Sequence, residues 1–194
     1  MKKMILVAAP PACEKNYVSD LICKAIGQIA YFDKDDLGVL LRRSFALCGE
    51  SIDMDGKFYL QNLRFAEYET LFKLAFSALR YSDAVLINAP LLKEVQDAEY
   101  MSALKKKANE QGASLILVWV TASKAACYER MKARGSDRDT LKLASWEEYA
   151  QKTDYSAPRA LETAGAVDTL FVFDNENEAT ATESLEKLFN TLGE

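Results

Sequence analysis

Lys15 is the first group in the chain that could do chemistry. It follows the apolar run Met4-Ile5-Leu6-Val7-Ala8 and the turn Ala9-Pro10-Pro11-Ala12-Cys13-Glu14, and after it Val18, Leu21, Ile22 and Ile26 recur at helical spacing. A strand, a tight loop and a helix that opens on a lysine form a receptor for polyphosphate. The loop amides and the helix N-terminus aim donors at the anion, and the lysine adds a mobile positive charge. Two further groups could act on such an anion. One is the acidic cluster Asp33-Lys34-Asp35-Asp36, whose Asp33 or Asp35 would equally serve as a helix N-cap. The other is Arg130, Arg134 and Arg138, spaced four apart; they would share a face if one helix carried all three, though Gly135 suggests a break before the last.

Composition removes several other chemistries. The chain of 194 residues contains no histidine, which excludes a Ser-His-Asp triad, a Cys-His pair and every histidine-containing zinc site. The four cysteines, Cys13, Cys23, Cys48 and Cys127, are scattered without a C-x-x-C pair, the pattern of free thiols or small apolar fillers rather than a disulfide frame. A net charge of −5 argues against nucleic acid or a membrane surface as the main partner. No stretch is long enough to span a bilayer, and the Met-Lys-Lys-Met start runs directly into a strand without an export signal, so a cytoplasmic protein is expected.

The elements that must position these residues follow from hydrophobic pattern. Five apolar runs, Met4–Ala8, Ile29–Phe32, Ala84–Asn88, Leu115–Val120 and Thr169–Phe173, alternate with helical patterns. Such alternation predicts an α/β fold with a five-stranded parallel sheet covered by helices on both faces. Helices are expected over Leu63–Arg80, with Phe65, Leu71, Phe72, Leu74 and Ala75 near one face, over Lys93–Gln111, after a cap at Ser123, and at the C-terminus. Without a repeat or a linker, residues 1–194 are expected to form a single domain. In open α/β sheets ligands gather at the carboxyl ends of the strands, where Lys15 and the acidic cluster would both lie.

The loop Ala9-Pro10-Pro11-Ala12-Cys13-Glu14-Lys15-Asn16 resembles the G-P-P-A-S-G-K-T version of the P-loop of small-molecule kinases, matching it at Pro10, Pro11, Ala12 and Lys15. The resemblance implies the strand order 2-3-1-4-5 and an ATP site formed by Pro11, Ala12, Cys13, Glu14, Lys15, Asn16 and Tyr17, with Arg130 and Asn175 at its edge, Asn175 near the adenine. It also implies that Asp33 or Asp35 orients an acceptor hydroxyl. A helical segment near 38–80, carrying Arg42, Arg43, Arg64 and Tyr68, would cover the acceptor. Residues near 130–146 would form an arginine lid in which Arg134 and Arg138 close over the transferring phosphoryl group.

Departures from the pattern fall where phosphate chemistry is most sensitive. Ala9 and Glu14 stand where the family has glycines. Asn16 replaces the hydroxyl that binds magnesium, and Asn88 stands where an aspartate commonly supports the metal, so Mg²⁺ binding through Asn16 and Asn88 is expected to be weaker than usual. Arg138, Asp139, Lys142, Leu143, Trp146 and Tyr149 resemble an R-D-x-x-K-L-x-x-W-x-x-Y segment of bacterial P-loop ATPase-like proteins, with Ser145 and Glu148 reading as a helix capping box. The expected function is ATP binding, with phosphoryl transfer to an unidentified small hydroxylated acceptor. The alternative is a non-catalytic module of the same fold that acts through a protein partner.

Overall fold

The computed structural model describes residues 2–136 and 139–193. Its strands are β1 (Lys2–Ala8), β2 (Ala30–Asp33), β3 (Ala84–Asn88), β4 (Ala113–Thr121) and β5 (Thr169–Asp174). They form one sheet in the order β2-β3-β1-β4-β5, and every neighbouring pair is parallel. This is the expected order. β1 sits in the middle, and five of its seven residues are buried, as a strand covered on both faces requires.

The helices are α1 (Lys15–Ile26), α2 (Gly38–Leu47), α3 (Arg64–Leu79), α4 (Ala98–Glu110), α5 (Lys124–Arg134), α6 (Thr140–Ala144), α7 (Trp146–Lys152), α8 (Ala160–Thr163) and α9 (Glu178–Gly193). Alternate strand residues point to opposite faces, so the sheet separates two cores. Met4, Leu6, Val85, Ile87, Leu115 and Leu117 pack with α3, α4 and α8 on one side. Ile5, Val7, Leu86, Ile116 and Val118 pack with α1, α5 and α9 on the other.

Three local expectations need correction. The helix expected over 93–111 is divided: a 3-10 turn at Glu94–Gln96 gives way to α4 through Asp97, which is extended (φ −109°, ψ 97°) and caps α4 by accepting from the Tyr100 N–H. On α3, Phe65 and Leu74 face outward; the buried stripe is Glu67, Tyr68, Leu71, Phe72, Ala75 and Leu79. The capping box at Ser145 does not form, because its hydroxyl donates back to the Leu141 carbonyl, while Glu148 pairs with Lys152.

Candidate functional site

Parallel register brings three strand ends into one row. Val7 of β1 and Asp33 of β2 both lie opposite Asn88 of β3. Just beyond, the chain turns through residues 9–14 into α1, so Lys15 and Asn16 open that helix beside Asn88. The Lys15 Nζ donates to Asn16 Oδ1 at 2.8 Å, and the same oxygen accepts from Asn88 Nδ2 at 3.0 Å. That amide nitrogen also lies 2.7 Å from Asp33 Oδ2 and 3.0 Å from the Tyr31 hydroxyl, which itself donates to Asp33 at 2.9 Å. Lys15, Asn16, Asn88, Asp33 and Tyr31 thus form a continuous hydrogen-bonded row along the carboxyl ends of three neighbouring strands.

Within that row Asn88 is fully buried, and its Oδ1 has no hydrogen-bond partner among the described residues. Asp33 also caps the following 3-10 turn, its Oδ1 accepting from the Asp35 N–H at 2.8 Å, so the capping geometry and the position in the row coexist. Asp35 itself is exposed. Tyr31 was missed by sequence reasoning, although residues two apart on a strand share a face and Tyr31 precedes Asp33 by two. Burial, and then the bond and charge of Asp33, push the Tyr31 phenol up and keep it neutral.

The loop is shaped by two left-handed residues, Ala12 (φ 65°) and Glu14 (φ 61°), on either side of the buried Cys13. Pro11 has no N–H to offer a ligand and contributes shape. Asn175, itself buried at the end of β5, donates through Nδ2 to the Cys13 carbonyl at 2.9 Å and fastens the loop to the sheet. Tyr17 stands exposed on the first turn of α1. The Glu14 carboxylate lies 3.3 Å from the Arg130 guanidinium, which also donates to the carbonyls of Asn175 at 2.6 Å and Glu176 at 3.3 Å. Arg134 directs Nε and Nη2, at 2.8 and 2.6 Å, to one oxygen of the buried Asp139. Arg138 lies outside the described residues.

Residues expected to cover an acceptor divide into two sets. Arg42 and Arg43 are exposed on α2. Arg64 and Tyr68 belong to an inner polar cluster: Arg64 pairs with Glu94 at 2.8 Å and lies 4.6 Å over the Tyr68 ring, while the neighbouring Glu67 binds Lys34 at 2.9 Å and the Tyr59 hydroxyl. Burial, and then the charge of Glu94, push the Tyr68 phenol up. Among the described residues no group of three or more His, Cys, Asp or Glu could hold a metal ion, and no helix is long and apolar enough to cross a membrane.

The model of the AAA domain family matches residues 31–155, a span that includes Asp33, Asn88, Arg130 and Arg134 and begins after the loop and Lys15. Among solved structures, the chain is similar to a Chloroflexus aurantiacus protein provisionally assigned as a kinase, at 15% identity and a TM-score of 0.62 over 99% of this chain and 96% of that one. It is also similar to the APS kinase of Mycobacterium tuberculosis in complex with AMPPNP and APS, at 17% identity and a TM-score of 0.53 over 100% and 98%. A third similarity is to the shikimate kinase of Bacteroides thetaiotaomicron, at 10% identity and a TM-score of 0.53 over 100% and 99%. No curated protein sequence matches the chain.

Proposed function

Because this chain belongs to the AAA domain family and has the fold of P-loop kinases, we propose that it binds ATP at the loop around Lys15 and transfers the γ-phosphoryl group to a small hydroxylated acceptor. The observation that carries this reading is the hydrogen-bonded row Lys15–Asn16–Asn88–Asp33. A cation and a carboxylate lie at its two ends, at the strand ends where ligands of open α/β sheets gather. Lys15 would exchange Asn16 for the β- and γ-phosphates, joined by the N–H groups of Ala12, Cys13, Glu14, Lys15, Asn16 and Tyr17. Asp33 would orient the acceptor hydroxyl and take its proton as the oxygen attacks, with Asp35 beside it. Arg134 would leave Asp139 to neutralise the transferring group, with Arg138 from the same segment.

In this reading residues 1–194 work as a single unit, in which the segment near 38–80 covers the acceptor through Arg42, Arg43, Arg64 and Tyr68. Arg130 and Asn175 border the nucleotide. Magnesium brought by the nucleotide would meet the amide oxygens of Asn16 and Asn88, and it would supply neutralisation of phosphate charge. With neutral amides as its supports, its affinity would fall below that of carboxylate-held sites. The net charge of −5 favours a small anionic nucleotide complex over nucleic acid as the partner, and an ATP donor suits a cytoplasmic setting. Calorimetry with ATP tests the site: Lys15→Ala abolishes binding, and unchanged affinity removes the assignment.

One observation favours a second reading, a non-catalytic module acting through a protein partner. Glu14 places the chain's own carboxylate at the loop and pairs it with Arg130, so an internal anion competes with phosphate. The double variant E14G/N16T separates the two readings. A gain of orders of magnitude in ATP affinity over a parent that shows none supports the module.

A further inference from the structure

Two thiols meet beneath the loop. Cys13 lies between the left-handed residues Ala12 and Glu14, and Cys127 lies in the first turn of α5; their sulfurs are 3.6 Å apart and hydrogen-bonded across 114 residues of chain. Both are fully buried, unlike Cys23 and Cys48, and all four are unlinked in this structure. Arg130, on the same helix as Cys127, adds a positive charge that favours the thiolate of either sulfur. Burial of both sulfurs, and the charges of Glu176 and Glu14 at Cys127, act against it, and either sulfur can donate the shared hydrogen bond. Either sulfur can therefore serve as the nucleophile, with the other as the resolving thiol.

We propose that Cys13 and Cys127 are a redox couple that a hydroperoxide closes into a disulfide, tying the loop of residues 9–14 to α5. The sulfurs must approach from 3.6 Å to about 2 Å, a movement of side-chain scale. The thiolate of one cysteine attacks a peroxide oxygen; the S–O bond forms, the O–O bond breaks, and the released hydroxide takes a proton to become water. The sulfur of the other cysteine, after giving up its proton, attacks the sulfenic sulfur and expels the second hydroxide, which leaves as water. Two thiols and one peroxide become a disulfide and two waters (for hydrogen peroxide), with the sulfurs oxidised and the peroxide reduced. Local opening of the loop, whose Glu14 is already exposed, admits a small oxidant. The bridge holds the amides around Cys13 in one arrangement, and if this loop seats a nucleotide, as proposed above, it makes that seat redox-sensitive.

The test uses the C23A/C48A variant, which keeps the pair alone, treated with hydrogen peroxide in native buffer and mapped by mass spectrometry without reductant. The expected map shows a Cys13 peptide joined to a Cys127 peptide with two hydrogens lost, and dithiothreitol restores both thiols. Hydrogen exchange at residues 12–17 slows by about ten-fold in the oxidised form. This readout needs no nucleotide, so it stands apart from any failure to bind ATP. Thiols that stay alkylatable, sulfinic acids without a joined peptide, a joined peptide that forms only in urea, or unchanged exchange each overturn the proposal. Should C23A/C48A misfold by circular dichroism, the same map of the parent chain decides: linkage of Cys13 to Cys127 upholds the couple, and linkage through Cys23 or Cys48 overturns it.

Discussion

Glu14 shows how one side chain can oppose its own backbone. At φ 61° and ψ 45° it occupies the left-handed region, which costs a residue with a Cβ about 1–2 kcal/mol relative to glycine. Its ion pair with Arg130 returns less: the two side chains are 48% and 20% exposed, and screened pairs are worth about 1 kcal/mol at most. Strain outweighs the pair, so Glu14→Gly is expected to stabilise the chain by about 1 kcal/mol, roughly 2–4 °C in thermal denaturation at this size. A lower melting temperature would show that the pair dominates. Asn88 makes the opposite case. It is fully buried and donates to Asp33 at 2.7 Å, so Asn88→Asp replaces a donor by a second carboxylate beside the first. The expected loss at neutral pH is about 3 kcal/mol in urea denaturation, partly recovered by millimolar Mg²⁺. A loss within experimental error would mean that Asp33 does not depend on that donor.

At the scale of an element, α5 carries Arg130, Arg134 and Cys127, and its start is doubly fixed. The Ser123 hydroxyl accepts from the Ala126 N–H at 3.1 Å, while the Glu176 carboxylate accepts from the Ser123 N–H and hydroxyl at 2.6 and 2.7 Å. Those two bonds hold Glu176 below its ordinary value of 4.5. For a carboxyl group whose folded pKa is depressed, the stabilisation is complete above the unfolded value and is lost as pH falls through the folded one. Acid titration of stability should therefore show a loss below pH 4.5 that is smaller in Glu176→Gln; equal slopes would refute the link. Ser123→Ala should cost about 1 kcal/mol at neutral pH. The Ser123 cap was legible because Ser precedes a helical pattern. The five strands were legible because burial on both faces leaves unbroken apolar runs. The helical stripe of α3 was not: it passes through Glu67, which Lys34 and Tyr59 satisfy from elsewhere, while apolar Phe65 and Leu74 turn outward. The site divides in the same way. Lys15, after the turn that follows β1, and Asp33, at the end of β2, announce themselves by their place against apolar runs, whereas Glu14–Arg130, Arg134–Asp139 and Cys13–Cys127 are pairings through space that no local spacing encodes.

Two large cores share one sheet, beside a smaller cluster of Leu41, Phe45 and Tyr59, and the sheet places the candidate site where it is. Because the strands are parallel and β1 lies between β3 and β4, the chain leaves the carboxyl end of each strand on the same rim. From that rim it must cross to α1, on one face, or to α3 and α4, on the other, so residues from both layers converge there. Among the described residues, the two large cores lie on opposite faces of the sheet. Ile87 belongs to the core under α3 and α4, and Ile22 of α1 to the other; both are fully buried. Removing one methylene from each, with Ile87→Val and Ile22→Val, should cost about 1 kcal/mol apiece. The double variant should lose their sum to within about 0.5 kcal/mol in urea denaturation, since the two side chains belong to separate cores on opposite faces of the sheet. A double-variant loss well away from the sum would mean that repacking crosses the sheet. The rim would then move with the cores beneath it, and the row from Lys15 to Asp33 could not be treated as held in register by the strands alone.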